Sequence, residues 1–235
     1  MSKGRPRILV FASGEKDGGG SGFEKLVKMS RLGYLRAEIV GVVSNYENGG
    51  VREKADRLGI PFEFFDKKSL TSGLEKDSDD YKAAEEAKYQ RLFQKYDEPW
   101  VCLSGWLLFV RGLPTNKVIN IHPGPLTFGG KDMHGDAVHR AVMAVFYAGE
   151  IKNSAVSLHF APPDKPYDSG PLIAMIPIPI NDNDTWESLK KRVNEAEHQW
   201  QWFIINLVVN GEISLEGDKV HVPYWYTLNR LVSQE

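Results

Sequence analysis

Apolar positions along the chain fall into two alternating rhythms. An apolar run at residues 8–12 is followed by a glycine-rich stretch at residues 13–22, and then by Phe23, Leu26, Val27 and Leu32 at helical spacing. A β-branched run at residues 38–44 reads as a second strand. Residues 51–58 read as a short helix after Asn48, Gly49 and Gly50, and residues 60–65 as a third strand. The order so far is βαβαβ. Residues 67–80 read as a polar loop. Residues 79–95 read as a charged helix with few apolar positions, Leu92 and Phe93 among them, and residues 100–104 and 118–121 as two further buried strands. Alternation of this kind predicts an α/β fold, a Rossmann-like, mostly parallel sheet with helices on both faces.

Beyond a helix predicted at residues 135–148 the grammar changes. Strands at residues 154–160 and 172–180, joined by a loop rich in proline and aspartate, form a C-terminal part that pairs antiparallel. A long helix follows, opened by Asp184 with Glu187 three residues later in a capping-box-like start. Its apolar stripe of Leu189, Val193, Ala196, Trp200, Phe203, Ile204 and Leu207 has the spacing of a core-facing surface. Gly211 ends it and a hairpin-like tail follows. With no repeats and no interdomain linker, residues 1–235 read as a single domain.

Charge and cysteine content narrow the partners. The 29 Lys and Arg against 31 Asp and Glu give a net charge of −2, which provides no broad field for nucleic acid or an anionic membrane. Apolar runs at residues 100–110 and 202–209 fall short of the roughly 20 residues that span a bilayer. Lys3, Arg5 and Arg7 precede too short an apolar run to make a signal peptide. Cys102, the lone cysteine, can form neither an internal disulfide nor a cysteine metal site and fits a reducing compartment, so a cytoplasmic location is expected.

Three motifs carry chemistry. The first loop, SGEKDGGGSGF, is placed where backbone N–H groups hold a phosphate between a strand and a helix. It is no P-loop, because Gly20 stands where the lysine belongs. It is no dinucleotide fingerprint either, because Ser44 and Asn45 end the second strand without an acid for a ribose. A plain surface loop is the alternative. In VINIHPGPL, period-two geometry puts Asn120 and His122 on one face at the carboxyl end of a strand, where open α/β sheets bind ligands. An amide donor beside a titratable imidazole suits acyl chemistry, though such a pair can also merely satisfy loop backbone groups. Asp168 in PYDSGP is the candidate to orient the imidazole, with ordinary turn chemistry as the alternative. There is no GxSxG elbow, and Cys102 lies within a buried strand. His134, His139, His159, His198 and His221 make no metal-binding pattern. Trp106 is expected in the core, with an edge toward the crevice.

Taken in order, the glycine-rich loop, NIHP and DSGP, together with GWLLFV and FGGKDMHGDAVHRAV, resemble the folate-dependent formyltransferases, and most of all the phosphoribosylglycinamide formyltransferase branch of purine synthesis. The resemblance covers residues 7–222. It implies a formyltransferase fold and transfer of the formyl group of 10-formyltetrahydrofolate to the amine of glycinamide ribonucleotide, through a tetrahedral intermediate and without a metal. Asn120, His122 and Asp168 fall on the family's catalytic positions, with Asn120 donating to the formyl oxygen, His122 stabilising the oxyanion and Asp168 holding His122 protonated. Gly20, Ser21, Gly22, Pro123 and Glu197 fall on substrate-binding positions, and Leu107, Leu108, Val110 and Ala161 on the slot for the pterin ring.

The chain departs from the family in a longer first loop, in Gly22 where an Asn is usual, in Leu108 where an Arg is usual, and in a longer stretch from His159 to Asp168. Other users of the same three residues are sugar nucleotide N-formyltransferases and formyltetrahydrofolate hydrolases, and a folate- or nucleotide-binding module without turnover is a third reading. The absence of an added regulatory or C-terminal domain favours the purine enzyme. Expected partners are small molecules, not nucleic acid or membrane, with the chain working as a monomer or homodimer.

Overall fold

A computed structural model describes residues 4–14, 18–163 and 165–225. The elements run β1 (Arg7–Phe11), α1 (Ser21–Arg31), β2 (Glu38–Ser44), α2 (Gly50–Leu58), β3 (Phe62–Phe64), α3 (Lys67–Leu70) and α4 (Asp79–Lys95). They continue with β4 (Trp100–Leu103), β5 (Val118–His122), α5 (Asp136–Tyr147), β6 (Asn153–Phe160), β7 (Leu172–Pro179), α6 (Trp186–Val209), β8 (Ser214–Glu216) and β9 (Lys219–His221). The main sheet has the order β3-β2-β1-β4-β5-β6-β7. Its first five strands are parallel, and β6 and β7 are added antiparallel. This is the expected mixed α/β sheet with an antiparallel C-terminal part.

Period-two alternation divides the buried residues between two faces. Ile8 and Val10 of β1 and Cys102 of β4 join one core with Phe23 and Leu26 of α1, Val138 and Val142 of α5, and Leu189 and Val193 of α6. Leu9 and Phe11, with Val101 and Leu103, face the opposite core, built with Tyr89, Leu92 and Phe93 of α4. Helices therefore cover both faces, and burial of these side chains drives the layering.

Two local expectations are corrected. Residues 67–80 do not run as a plain loop, because the Asp66 side chain accepts the Ser69 N–H at 3.0 Å and nucleates the single turn α3. Asp184 does not cap α6. Thr185 and Ser188 form the reciprocal capping box, Thr185 Oγ1 accepting the Ser188 N–H at 3.3 Å and Ser188 Oγ accepting the Thr185 N–H at 3.0 Å. The buried Asp184 carboxylate is taken instead by a two-pronged Arg192 guanidinium, both contacts at 2.7 Å, which satisfies a buried charge better than one cap bond would.

The strand order reverses between β1 and β4, one chain path leaving toward β2 and β3 and the other toward β5. A crevice opens beyond the carboxyl ends of the strands at such a switch point. The Ser13 N–H donates to the Gly105 carbonyl at 3.0 Å, tying the loops after β1 and β4 together at its floor. On the far side, β7 is the outer strand and carries Pro177 and Pro179.

Candidate active site

A cavity of about 580 Å³ occupies this crevice. The glycine-rich loop closes one end, β5 and the loop bearing Asp168 form the centre, and residues 103–110 form the other wall. Glu197, His198 and Gln201 of α6 face it from above the glycine-rich loop. All the expected substrate- and pterin-binding positions line it: Gly20, Ser21, Gly22, Pro123 and Glu197, and Leu107, Leu108, Val110 and Ala161.

At the centre the fold brings Asn120, His122 and Asp168 together, although Asp168 is far from the other two in sequence. Asn120 Nδ2 donates to Asp168 Oδ1 at 3.0 Å, and Asp168 Oδ2 lies 3.5 Å from His122 Nδ1. His159 is a fourth member that sequence reasoning passed over. The β5–β6 register sets it opposite Asn120, and its Nε2 lies 3.0 Å from Asn120 Nδ2. His159 Nδ1 donates to the Phe160 carbonyl at 2.8 Å, so in the neutral ring Nε2 is left to accept from the amide. Both Asn120 amide hydrogens are therefore engaged in the free protein.

Asp168 is held from several sides. Its backbone is left-handed, φ 55°, a conformation that aspartate tolerates better than most residues. The Gly130 N–H donates to Oδ2 at 3.1 Å. Gly170 packs so tightly on the Phe160 carbonyl that a side chain there would collide with it. Burial pushes the Asp168 carboxyl up, but the neighbouring His159 and His122 rings and the Gly130 N–H together hold it below the usual range.

Burial lowers the His122 pKa by more than the Asp168 charge raises it, which favours the neutral ring in the free protein. Its Nε2 is buried and has no hydrogen-bond partner among the described residues.

The glycine-rich loop reaches α1 through Gly19 and Gly20, both left-handed at φ 83° and 72°, which a side chain would resist. Ser21 Oγ lies 3.0 Å from His198 Nε2. Gly22 has no room for a side chain, because Ser104 Oγ, itself donating to Gln201 Oε1 at 3.3 Å, fills that space. Glu197 accepts from Asn194 Nδ2 at 3.3 Å, and burial pushes its carboxyl up to about 7. On the opposite wall the Leu107 N–H donates to Ser13 Oγ at 3.0 Å, and Trp106 Nε1 donates to the Tyr89 hydroxyl at 3.1 Å, fixing an irregular segment against the core. Leu107 is exposed, whereas Val110 is buried and shapes the slot from behind.

A polar centre holding a carboxylate, two imidazoles and an amide, beside an apolar slot and a glycine-rich loop at a helix N-terminus, can stabilise a developing oxyanion and move protons near neutral pH. Residues 6–205 match the family described as formyl transferase. A chloroplastic phosphoribosylglycinamide formyltransferase of Vigna unguiculata is 31% identical over 222 residues, covering 92% of this chain, which spans 65% of that relative's length. A phosphoribosylglycinamide formyltransferase of Bacillus subtilis is 29% identical over 91% of this chain and 98% of its own. Among solved structures, glycinamide ribonucleotide transformylase 1 of Symbiobacterium toebii superposes with a TM-score of 0.76 at 26% identity, covering 94% of this chain and 95% of its own.

Proposed function

The chain belongs to the formyl transferase family, and we propose that it transfers the formyl group of 10-formyltetrahydrofolate to the primary amine of glycinamide ribonucleotide, in purine synthesis. The observation that carries this reading is the convergence of Asn120, His122 and Asp168 at the centre of a cavity whose two ends differ in chemistry. The names of the relatives that align along most of this chain support the choice of acceptor.

In this reading the N–H groups around Gly20, Ser21 and Gly22 hold the acceptor's phosphate, since a helix N-terminus favours an anion. Glu197 accepts hydrogen bonds from its ribose or glycinamide part. Pro123 backs the reacting centre, and Leu107, Leu108, Val110 and Ala161 cover the pterin ring. The amine nitrogen attacks the formyl carbon, and the carbonyl electrons move to oxygen. One Asn120 amide hydrogen is exchanged from its partner in the free protein to that oxygen. The neutral His122, whose Nε2 is free of a protein partner, takes up the proton released by the amine and so meets the oxyanion as a cation beside Asp168. Return of the proton to N10 of the folate accompanies cleavage of the C–N10 bond, giving formylated acceptor and tetrahydrofolate. No metal takes part in these steps. We place the reaction in the cytoplasm, with the chain as a monomer or homodimer.

Mixing the protein with 10-formyltetrahydrofolate and glycinamide ribonucleotide is expected to release tetrahydrofolate. Turnover with an amino sugar nucleotide or with water alone, and none with this amine, would sink the reading. A pH test follows from Glu197. Above pH 7 its carboxylate accepts hydrogen bonds from the acceptor, and as pH falls through about 7 it is protonated. The KM for the acceptor is therefore expected to rise from pH 8 to pH 6, and Glu197→Gln to remove that step while leaving any contribution from the acceptor's own amine. Identical KM profiles in the two proteins would remove Glu197 from the acceptor site.

A further inference from the structure

Helix α6 carries two stripes. Leu189, Val193, Ile204 and Leu207 bury its apolar face in the core, whereas Asn194, Glu197, His198 and Gln201, spaced three and four apart, bring a polar stripe to the cavity. Three members of the polar stripe have partners: Asn194 Nδ2 donates to Glu197 at 3.3 Å, and His198 Nε2 lies 3.0 Å from Ser21 Oγ. Gln201 is different. It is only 3% exposed, just before the buried run at residues 204–209, and a carboxamide buried there costs stability unless its hydrogen bonds are met.

Those bonds are half met. Ser104, the residue after β4, donates its hydroxyl to Gln201 Oε1 at 3.3 Å, and its own N–H donates to the Phe11 carbonyl at 2.8 Å, so the hydroxyl stands on backbone tied to β1. With the amide oxygen turned to Ser104, the two N–H bonds of Nε2 are left over, and no group among the described residues accepts them. Only the cavity can. The same pair fills the space beside Gly22, where an added Cβ would collide with Ser104 Oγ and lie 3.1 Å from Gln201 Oε1. Gly22 is the second residue of α1, so the carboxamide adjoins the helix end at which backbone N–H groups favour an anion. Gln201 thus offers that end a further donor, carried by a separate element and locked by a separate hydrogen bond.

Resting on the reading that the main cavity takes glycinamide ribonucleotide, we propose that Gln201 is a specificity-determining residue, whose Nε2 donates to the acceptor's phosphate and selects a phosphorylated acceptor over an unphosphorylated one. Ser104 is the positioning residue that keeps the amide oxygen turned away. Orientation decides the sign of the contact, because a reversed amide would present its oxygen to the phosphate, and two acceptors repel.

The test is calorimetric titration of the full chain with glycinamide ribonucleotide and with the dephosphorylated glycinamide ribonucleoside. Gln201→Met, close in size and without side-chain N–H groups, is expected to weaken the ribonucleotide by about 10- to 100-fold, the range for a hydrogen bond to a charged group, and the ribonucleoside far less. Ser104→Ala keeps Gln201 but frees its amide to turn, and is expected to weaken the ribonucleotide by about two- to fivefold. Equal losses for the two ligands in Gln201→Met would mean that the side chain only shapes the site, and overturn the proposal. Unchanged affinity for the ribonucleotide overturns it also. Should Gln201→Met not fold, Ser104→Ala carries the test alone, and full affinity for the ribonucleotide there overturns the pair. Wild type that does not distinguish the two ligands overturns the pair as well. Preference for the ribonucleotide without formyl transfer to it overturns the formyl-transfer reading and leaves the phosphate contact standing.

Discussion

His122→Ala is expected to lower kcat by about 10²- to 10⁴-fold, the range for removing a proton-handling or oxyanion-stabilising group. The ring is buried at 3% exposure, and Nε2 is the one nitrogen at the centre without a hydrogen-bond partner among the described residues. It spends nothing on holding the free protein together through that atom, so its loss should register in kcat and little in the KM for the folate. The direction of its pKa also fixes the shape of the rate profile. A ring that must begin neutral is fully competent at pH 7, and the rate should fall only as pH drops through a value below the ordinary 6.5 of histidine. A rate–pH curve from pH 5 to 8 in wild type, beside the residual rate of the alanine variant, checks both statements. An undiminished rate in His122→Ala would sink the mechanism.

Gly129→Ala should cost about 10²-fold in kcat, because displacing a reacting group by about 1 Å carries a penalty of that size. The backbone of Gly129 is at φ −85°, open to any residue, so alanine meets no conformational objection. The objection is contact. An added Cβ would lie 2.5 Å from the Cβ of Asp168 and 3.0 Å from the Leu126 carbonyl oxygen. Asp168 cannot yield without loosening its bonds to Asn120 and Gly130 N–H, so the carboxylate behind His122 shifts as one piece with its loop. Kinetics combined with circular dichroism separate this effect from unfolding. A folded variant within threefold of the wild-type rate would show that the placement of Asp168 is not demanding.

Much of the architecture is legible in the chain because its signals are local. The strand at residues 38–44 and the helix at residues 79–95 fall where the apolar pattern puts them, the first from an uninterrupted β-branched run and the second from a helix start at Ser78, whose hydroxyl accepts the Tyr81 N–H. α3 escapes notice because four residues are too few to express a helical period, and its existence depends on one Asp66 cap. The start of α6 is displaced by one residue because Asp184 has a stronger partner in Arg192 than sequence order suggests. Asn120 and His122 can be paired by counting along one strand, whereas Asp168 acquires meaning only from the resemblance and its neighbours only from the fold. His159 belongs to the same cluster through the register of two antiparallel strands, information that no local window contains. The protonation of His122 is likewise illegible, since charge partners can be guessed from residue types but burial cannot.

Pro177 and Pro179 on β7 bear on how copies of this chain meet. Both stand in register with β6, opposite Ala155 and Asn153, and a proline fits there only where its missing N–H faces away from the neighbouring strand. The outward side of β7 therefore lacks two successive donors that another strand would need, and the opposite rim, β3, is only three residues long. Neither rim is a template for extending the sheet into a second molecule. Folded copies are thus denied edge-to-edge pairing at either rim of the main sheet, which leaves the strand ends that carry the cavity undisturbed by sheet growth.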